Sequence, residues 1–148
     1  MLELSTRVRY GTRALVELAD CFPGEALSVN QIAATQRLSP KYLERILAAL
    51  KHAGIVTAAR GINGGYQLAR PPEMVRMTDV VAALDGAPCL VTCVKAPDTC
   101  PMHDICPTRG VWGAIQTAVD GILSGTTLKD LVETKRRKAT ELVPSYCI

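Results

Sequence analysis

SPKYLERILAALKHAGIVTAARGINGGYQLAR, residues 39–70, decides the fold. Its first half reads as a helix. Ser39 stands at the N-cap and Pro40 at the first helical position, where a missing N–H costs nothing and the ring's fixed φ suits the helix. Leu43, Ile46, Leu47 and Leu50 recur at i, i+3, i+4 and i+7 and form one apolar face. Lys41, Glu44, Arg45 and Ala48 share another, and Gly54 supplies the stop. The second half reads as a hairpin. Ile55–Arg60 is strand-like, Gly61 to Gly65 is a turn, and Tyr66–Ala69 is a second strand. A hairpin placed directly after such a helix is a wing. Arg60 and Arg70 flank it, and glycines at its tip let the backbone approach a phosphate closely. Pro71-Pro72 closes the unit.

Upstream, Ser28 and Gln31 fit a capping box that opens a short helix, with Val29, Ile32 and Ala33 as its apolar side. A tight turn through Arg37-Leu38 joins it to the residue 39 helix. Two short helices with such a turn, the second carrying polar and basic residues near its N-terminus, describe a helix-turn-helix whose width suits a DNA major groove. Lys41 and Arg45 can reach phosphate or guanine, and Glu44 can accept from cytosine N4. The candidate DNA-contacting residues are Ser39, Pro40, Lys41, Tyr42, Glu44 and Arg45 on the helix, with Arg60, Asn63 and Gly64 on the wing. The bland alternative is an ordinary helical hairpin with a charged outer face. Before these lies a first helix from Ser5 to Cys21, with Leu15, Leu18, Ala19 and Phe22 at helical spacing and Arg7, Arg9 and Arg13 on the same segment; Pro23-Gly24 ends it.

Downstream, Thr78-Asp79 is expected to cap a fourth helix, Asp79 to Leu84, ending at Gly86. GAPCLVTCVKAPDTCPMHDIC, residues 86–106, then holds four of the six cysteines: Cys89, Cys93, Cys100 and Cys106. It has no sustained periodicity and reads as a loop. A loop this long is uncommon unless it is functional or tied to something. Thiolates are soft ligands, which leaves zinc, copper(I) or an iron–sulfur cluster open. Residues 107–123 read as a longer helix on which Val111, Ile115, Ala118 and Ile122 step by four, three and four. That coiled-coil-like stripe predicts pairing with a partner chain, intramolecular packing being the alternative. Thr127 and Asp130 cap a last helix, with Leu128, Leu131 and Val132 apolar, that runs into Lys135-Arg136-Arg137-Lys138. Residues 1–72 are thus expected to form a winged helix-turn-helix unit. Residues 73–148 supply a linker helix, the cysteine loop (86–106), a dimerisation helix (107–123) and a C-terminal helix. The fold class is mainly α with a small β-hairpin wing.

The bulk numbers agree. In 148 residues, 48% hydrophobic and only 4% aromatic, the core must be built from Leu, Val, Ile and Ala, which favours helices. The net charge of +3 is unevenly placed: residues 29–70 carry six basic side chains and one acid, residues 77–148 seven and eight. A locally basic region invites a polyanion. Met1 to Tyr10 has no apolar h-region, and no run approaches the roughly 18 apolar residues of a membrane span. These features predict a cytoplasmic protein without membrane association, where clustered cysteines argue for metal binding or redox sensing over a disulfide framework. No P-loop, Gly-x-Ser-x-Gly or His-Glu-x-x-His motif is present, and His52 and His103 sit apart with no triad, so no enzymatic activity is expected.

Together, SxxxRYGxRAL (residues 5–15), SPKYLERIL (39–47), RGxxGGYxLAR (60–70), the cysteine loop and TLxDLV (127–132) resemble the Rrf-two family of bacterial winged-helix transcription regulators. That family includes the iron–sulfur regulators IscR, NsrR and RirA. The resemblance covers nearly the whole chain in order. It implies a homodimeric repressor or activator of transcription, repression being the expected mode. It further implies that promoter DNA binding answers to an iron–sulfur cluster, [2Fe–2S] or [4Fe–4S], sensing redox, nitric oxide or iron status. The family's cysteine spacing maps onto Cys93, Cys100 and Cys106. The fourth ligand departs from the family: Arg109 stands where some members have histidine, and Arg9 where others have a carboxylate. Cys89, His103 or a non-protein ligand are the candidates. The incomplete shell also leaves room for a cluster-free, zinc-binding or thiol-switch member.

Overall fold

The computed structural model describes residues 4–61 and 64–142. The chain folds as helices α1 (Thr6–Asp20), α2 (Val29–Gln36) and α3 (Pro40–His52), strands β1 (Val56–Ala59) and β2 (Gly65–Leu68), then helices α4 (Met77–Asp85), α5 (Thr92–Lys95), α6 (Arg109–Gly125) and α7 (Leu128–Leu142). Single 3-10 turns at Pro72–Met74 and Pro97–Thr99 complete it. The mainly helical architecture with one hairpin is the one expected from the sequence.

Local chemistry explains most boundaries. Ser28 Oγ accepts from Gln31 N at 3.2 Å while Gln31 Oε1 accepts from Ser28 N at 2.7 Å, the expected reciprocal cap of α2. At α7, Asp130 N donates to Thr127 Oγ1 at 3.3 Å and Thr127 N to Asp130 Oδ2 at 2.7 Å. Gly54 follows α3 at φ +70°, the left-handed conformation that suits glycine after a helix end. Two caps differ from expectation. Ser39 has extended N-cap backbone but makes no capping hydrogen bond, so Pro40 sets the start of α3. The fourth helix begins at Met77 rather than at Thr78-Asp79. Asp79 is its third residue and reaches back to accept from Arg76 N at 3.2 Å, leaving Thr78 inside the helix with its hydroxyl buried and unpartnered.

The hairpin is antiparallel, pairing Val56 with Leu68, Thr57 with Gln67, Ala58 with Tyr66 and Ala59 with Gly65. Leu27 adds a third backbone to it: Leu27 N donates to Tyr66 O at 2.9 Å and Tyr66 N to Leu27 O at 2.8 Å. One apolar core runs through both halves of the chain. Leu15, Leu18, Ile32, Leu43, Ile46, Leu47 and Leu50 meet Val75, Val80, Val81, Leu84, Leu128 and Val132. Such burial is the dominant stabilising term. Gly11 lies where α1 passes α4 and α3; a Cβ there would stand 2.5 Å from Leu84 Cδ1 and 3.1 Å from Ile46 Cγ2. The corner between α6 and α7 is held to the start of α4, with Met77 N donating to Thr126 O at 2.9 Å and Leu128 N to Val75 O at 3.0 Å. The Arg76 guanidinium also bonds Ser124 O. By contrast α6 buries only Gln116. Among the described residues no helix is long and apolar enough to cross a membrane.

Candidate nucleic-acid interface and cysteine loop

The α3 amphipathicity is realised. Leu43, Ile46, Leu47 and Leu50 are buried, while Ser39, Pro40, Lys41, Glu44 and Arg45 are exposed. None of the ion pairs among the described residues engages Lys41, Glu44, Arg45 or Arg60. Tyr42 is different. It is half-buried, its hydroxyl lies 3.1 Å from Thr6 Oγ1, and its ring meets Tyr10 edge-on at 6.2 Å, so it docks α3 onto α1. On the wing, Arg60 is exposed at the end of β1 and Gly64 N donates to Gly61 O at 2.9 Å, closing the turn. Asn63 lies outside the described residues. Arg70, expected to flank the wing as a contact, instead donates from Nη2 to Asp79 Oδ2 at 2.9 Å; its charge ties the wing's exit to α4.

The cysteine stretch has more local order than the expected plain loop. Cys93 sits in α5, Cys100 follows the 3-10 turn, and Cys106 stands ahead of α6. The start of the stretch is clamped by a residue that patterning did not single out. Gln116, only 5% exposed, accepts from Leu90 N at 2.9 Å and donates to Pro88 O at 3.2 Å and Asp120 Oδ1 at 2.9 Å. Its position in step with Trp112, Val119 and Leu123 was the available signal. Cys89 lies between the two clamped residues. It helps line a half-open cavity of about 570 Å³ with Asp85, Trp112, Ile115 and Val119. On the outer side of α6, Val111 is 56% and Ile122 68% exposed. That leaves these two residues of the expected pairing stripe uncovered within one chain, while Ile115 is half-buried against the cavity.

Cys21, Cys89, Cys93, Cys100 and Cys106 are free thiols. The Cys106 thiol is held below its ordinary pKa, first by the Thr108 hydroxyl 3.4 Å from its sulfur and then by the Thr108 and Arg109 amides. His103 Nε2 pairs with Asp104 Oδ1 at 2.8 Å. The donor chemistry of Cys93, Cys100 and Cys106 fits an iron–sulfur cluster or zinc. Their arrangement does not: among the described residues no three Cys, His, Asp or Glu side chains gather closely enough to hold a metal.

A helix-turn-helix followed directly by a wing, with unpaired cations outward on both, defines a DNA-binding transcription regulator. A family model described as Rrf2, iron-dependent transcriptional regulator, matches residues 4–134. The chain belongs to this family. It is 39% identical to Protein rrf2 of Nitratidesulfovibrio vulgaris over 131 residues, 88% of this chain and 87% of that one. Among solved structures, that of CymR, the global cysteine regulator of B. subtilis, superposes with a TM-score of 0.77 at 34% identity, covering 90% of this chain and 98% of that one. T. potens IscR superposes with a TM-score of 0.75 at 30% identity, covering 98% and 95%. The relatives are regulators, not enzymes, as the missing catalytic motifs led one to expect.

Proposed function

We propose that this chain is a homodimeric regulator that reads promoter DNA with α3 and the wing, and that the state of its cysteine loop sets its DNA affinity. The observation that carries the reading is the outward set Lys41, Glu44 and Arg45 on α3, whose opposite face is buried, with exposed Arg60 directly after β1, none of them in an ion pair among the described residues. Ser39, Pro40, Tyr42, Asn63 and Gly64 complete the contact set. Residues 1–72 do the reading and residues 73–148 the regulation. The stripe of Val111, Ile115, Ala118 and Ile122 pairs two copies, which sets two recognition helices at a spacing that half-sites must match. Repression by occupying promoter DNA is the simplest mode of action.

Cys93, Cys100 and Cys106 are the residues that would hold an iron–sulfur cluster, with Cys89 or His103 as candidates for the fourth position. A cluster supplies redox and ligand-exchange chemistry at iron when bound. The family description and the likeness to IscR support this reading. The separation of the thiols and the likeness to CymR support a second one, in which the loop works as a thiol switch without a cluster; a zinc site on the same cysteines is a further alternative.

Two measurements test the proposal. Affinity for promoter DNA should fall steeply with salt, and Lys41→Ala or Arg60→Ala should each reduce the log–log slope by about 1. Salt-insensitive binding unaffected by both changes rejects the DNA interface. Anaerobic reconstitution with iron and sulfide should then give a coloured protein whose DNA affinity differs from that of the apo form. A colourless product whose affinity changes on thiol oxidation selects the second reading.

A further inference from the structure

A connected polar network lies outside the proposed contact surface, between the C-terminal helix and the helix that precedes the recognition helix. Its centre is Gln36, the last residue of α2 and only 8% exposed. Its side-chain amide is engaged at both ends. Oε1 accepts from Arg13 Nε at 2.7 Å, and Nε2 donates to Glu17 Oε1 at 2.7 Å. Arg13 Nη2 also donates to the Gln36 carbonyl at 3.2 Å. From Glu17 the network continues into α7: Lys135 Nζ donates to Glu17 Oε2 and to Asp20 Oδ2, both at 2.9 Å. Arg136 Nε donates to Asp20 Oδ1 at 2.8 Å. On the other side, the Arg13 guanidinium stands 5.8 Å from the Tyr10 ring, and Tyr10 meets Tyr42 on α3.

Three residues separate Gln36 from α3: Arg37, in the left-handed conformation at φ 54°, then Leu38, whose N–H donates to Ala33 O at 2.9 Å, and Ser39. A turn this short and this constrained transmits the position of the end of α2 to the start of α3. Apolar packing would hold that end against α1 but would tolerate sliding. Directional hydrogen bonds, three of them on one residue, allow one register only. At the far end of the network, α7 is separated from α6 by Thr126 and Thr127 alone. A displacement of the outward-facing helix can be passed to α7 through this corner, which is also held to the start of α4.

We propose that Gln36 is a positioning residue for the recognition helix, and that α7 sets it through Lys135 and Glu17. The C-terminal helix is then part of the DNA-reading head, and this relay is the route by which the regulatory half adjusts it. The proposal rests on the DNA-reading assignment of α3 made above.

The test uses the full-length protein, a duplex selected from a random pool for tight binding, and a second duplex of scrambled sequence. Lys135→Met and Gln36→Leu should each weaken binding to the selected duplex by about tenfold while leaving binding to the scrambled duplex within about twofold. Lys135→Arg, which keeps the cation, should restore tight binding. The double variant Gln36→Leu/Lys135→Met should be no worse than the weaker single variant, because both act through one chain of contacts. Equal losses on the two duplexes, additive losses in the double variant, or no loss at all would overturn the relay. Lys41→Ala separates that failure from failure of the underlying assignment. If Lys41→Ala weakens binding while the relay variants do not, the interface stands and the relay falls; if none of them weakens binding, the interface itself is wrong.

Discussion

Replacing Gly65 by alanine tests whether the wing is held to the body of the protein by backbone or only by side chains. A Cβ built at Gly65 would collide with the Leu27 carbonyl oxygen and stand 2.5 Å from the Leu27 carbonyl carbon and 2.9 Å from Ser28 N. All three are main-chain atoms beside a capped helix, so they cannot rotate aside as a side-chain tip could. Carbon atoms pack at about 3.5–4.0 Å, so β2 must retreat by roughly 1 Å. That movement stretches both Leu27–Tyr66 hydrogen bonds, now 2.9 and 2.8 Å, past useful length. Each contributes about 0.5–1.5 kcal/mol net, for a loss of about 1–3 kcal/mol. In a chain of this size 1 kcal/mol moves Tm by about 2–4 °C, so thermal unfolding followed by circular dichroism should show a drop of about 2–12 °C. Because the wing shifts with β2, DNA affinity should fall as well, even though Gly65 is not among the proposed contacts. A Tm within about 1 °C of the parent protein would refute the close-packed contact with Leu27.

Further outcomes follow from the core, the caps and the α1–α7 ion pairs. Leu50, fully buried beneath α3, should cost about 2–5 kcal/mol as Leu50→Ala, read as a lower urea midpoint at unchanged m. Ser28→Ala and Gln31→Ala each remove half of the α2 capping box and should cost about 1 kcal/mol; their double variant should cost less than the sum. The Asp20 carboxyl is held below its ordinary 3.8 by the Lys135 hydrogen bond first and the Arg136 bond after it, against the opposing effect of burial. Burial pulls Lys135 down, but its bonds to Glu17 and Asp20 outweigh that and raise it above 10.5. A depressed carboxylate stabilises the fold above its unfolded pKa and loses that contribution as pH falls through the folded value; a raised amine does so below its unfolded pKa and loses it as pH rises. The stability difference between the parent protein and Asp20→Asn should therefore be flat from about pH 5 to 9 and shrink below 3.8. For pairs this exposed the plateau is expected at about 0.2–1 kcal/mol.

Patterning made the DNA-reading half legible because its signals are local. A four-residue apolar rhythm, a Ser–Gln box, a proline at the first helical position and a glycine-rich turn each constrain their own neighbourhood, and each recurs in the structure. The sequence is less legible where one residue answers to a distant one. Arg70 looked like a wing cation but is neutralised by Asp79 across the turn that leaves the wing. Tyr42 could be placed on α3 from the sequence, but not the contacts of its hydroxyl and ring with Thr6 and Tyr10, which dock α3 onto α1. Gln36 and Gln116 carry no charge, and only the tertiary fold shows that each is buried and saturated with hydrogen bonds. Lys135 and Arg136 stand in the sequence as half of a basic run, and only the fold shows their partners, more than 110 positions earlier on α1.

The two limbs of the cysteine loop differ in what holds them, and that bears on which thiols could converge. Neither α5 nor the following 3-10 turn contains a buried residue, so the stretch carrying Cys93 and Cys100 can rearrange at small cost in packing. Cys89 is different: moving it toward the others breaks the Gln116 bonds to Pro88 O and Leu90 N, leaving a buried amide unsatisfied at a cost of about 1–3 kcal/mol. On the cluster reading proposed above, Cys89 is then the least suited of the four thiols to serve as a ligand. Anaerobic reconstitution should load iron and sulfide onto Cys89→Ser to the level of the parent protein, while Cys93→Ser, Cys100→Ser and Cys106→Ser each load poorly. Gln116→Ala, which frees the first limb, should leave loading unchanged if Cys89 is a bystander. A gain in bound iron on that substitution, lost again when Cys89 is also replaced, would show instead that Cys89 is a ligand held in reserve by the clamp.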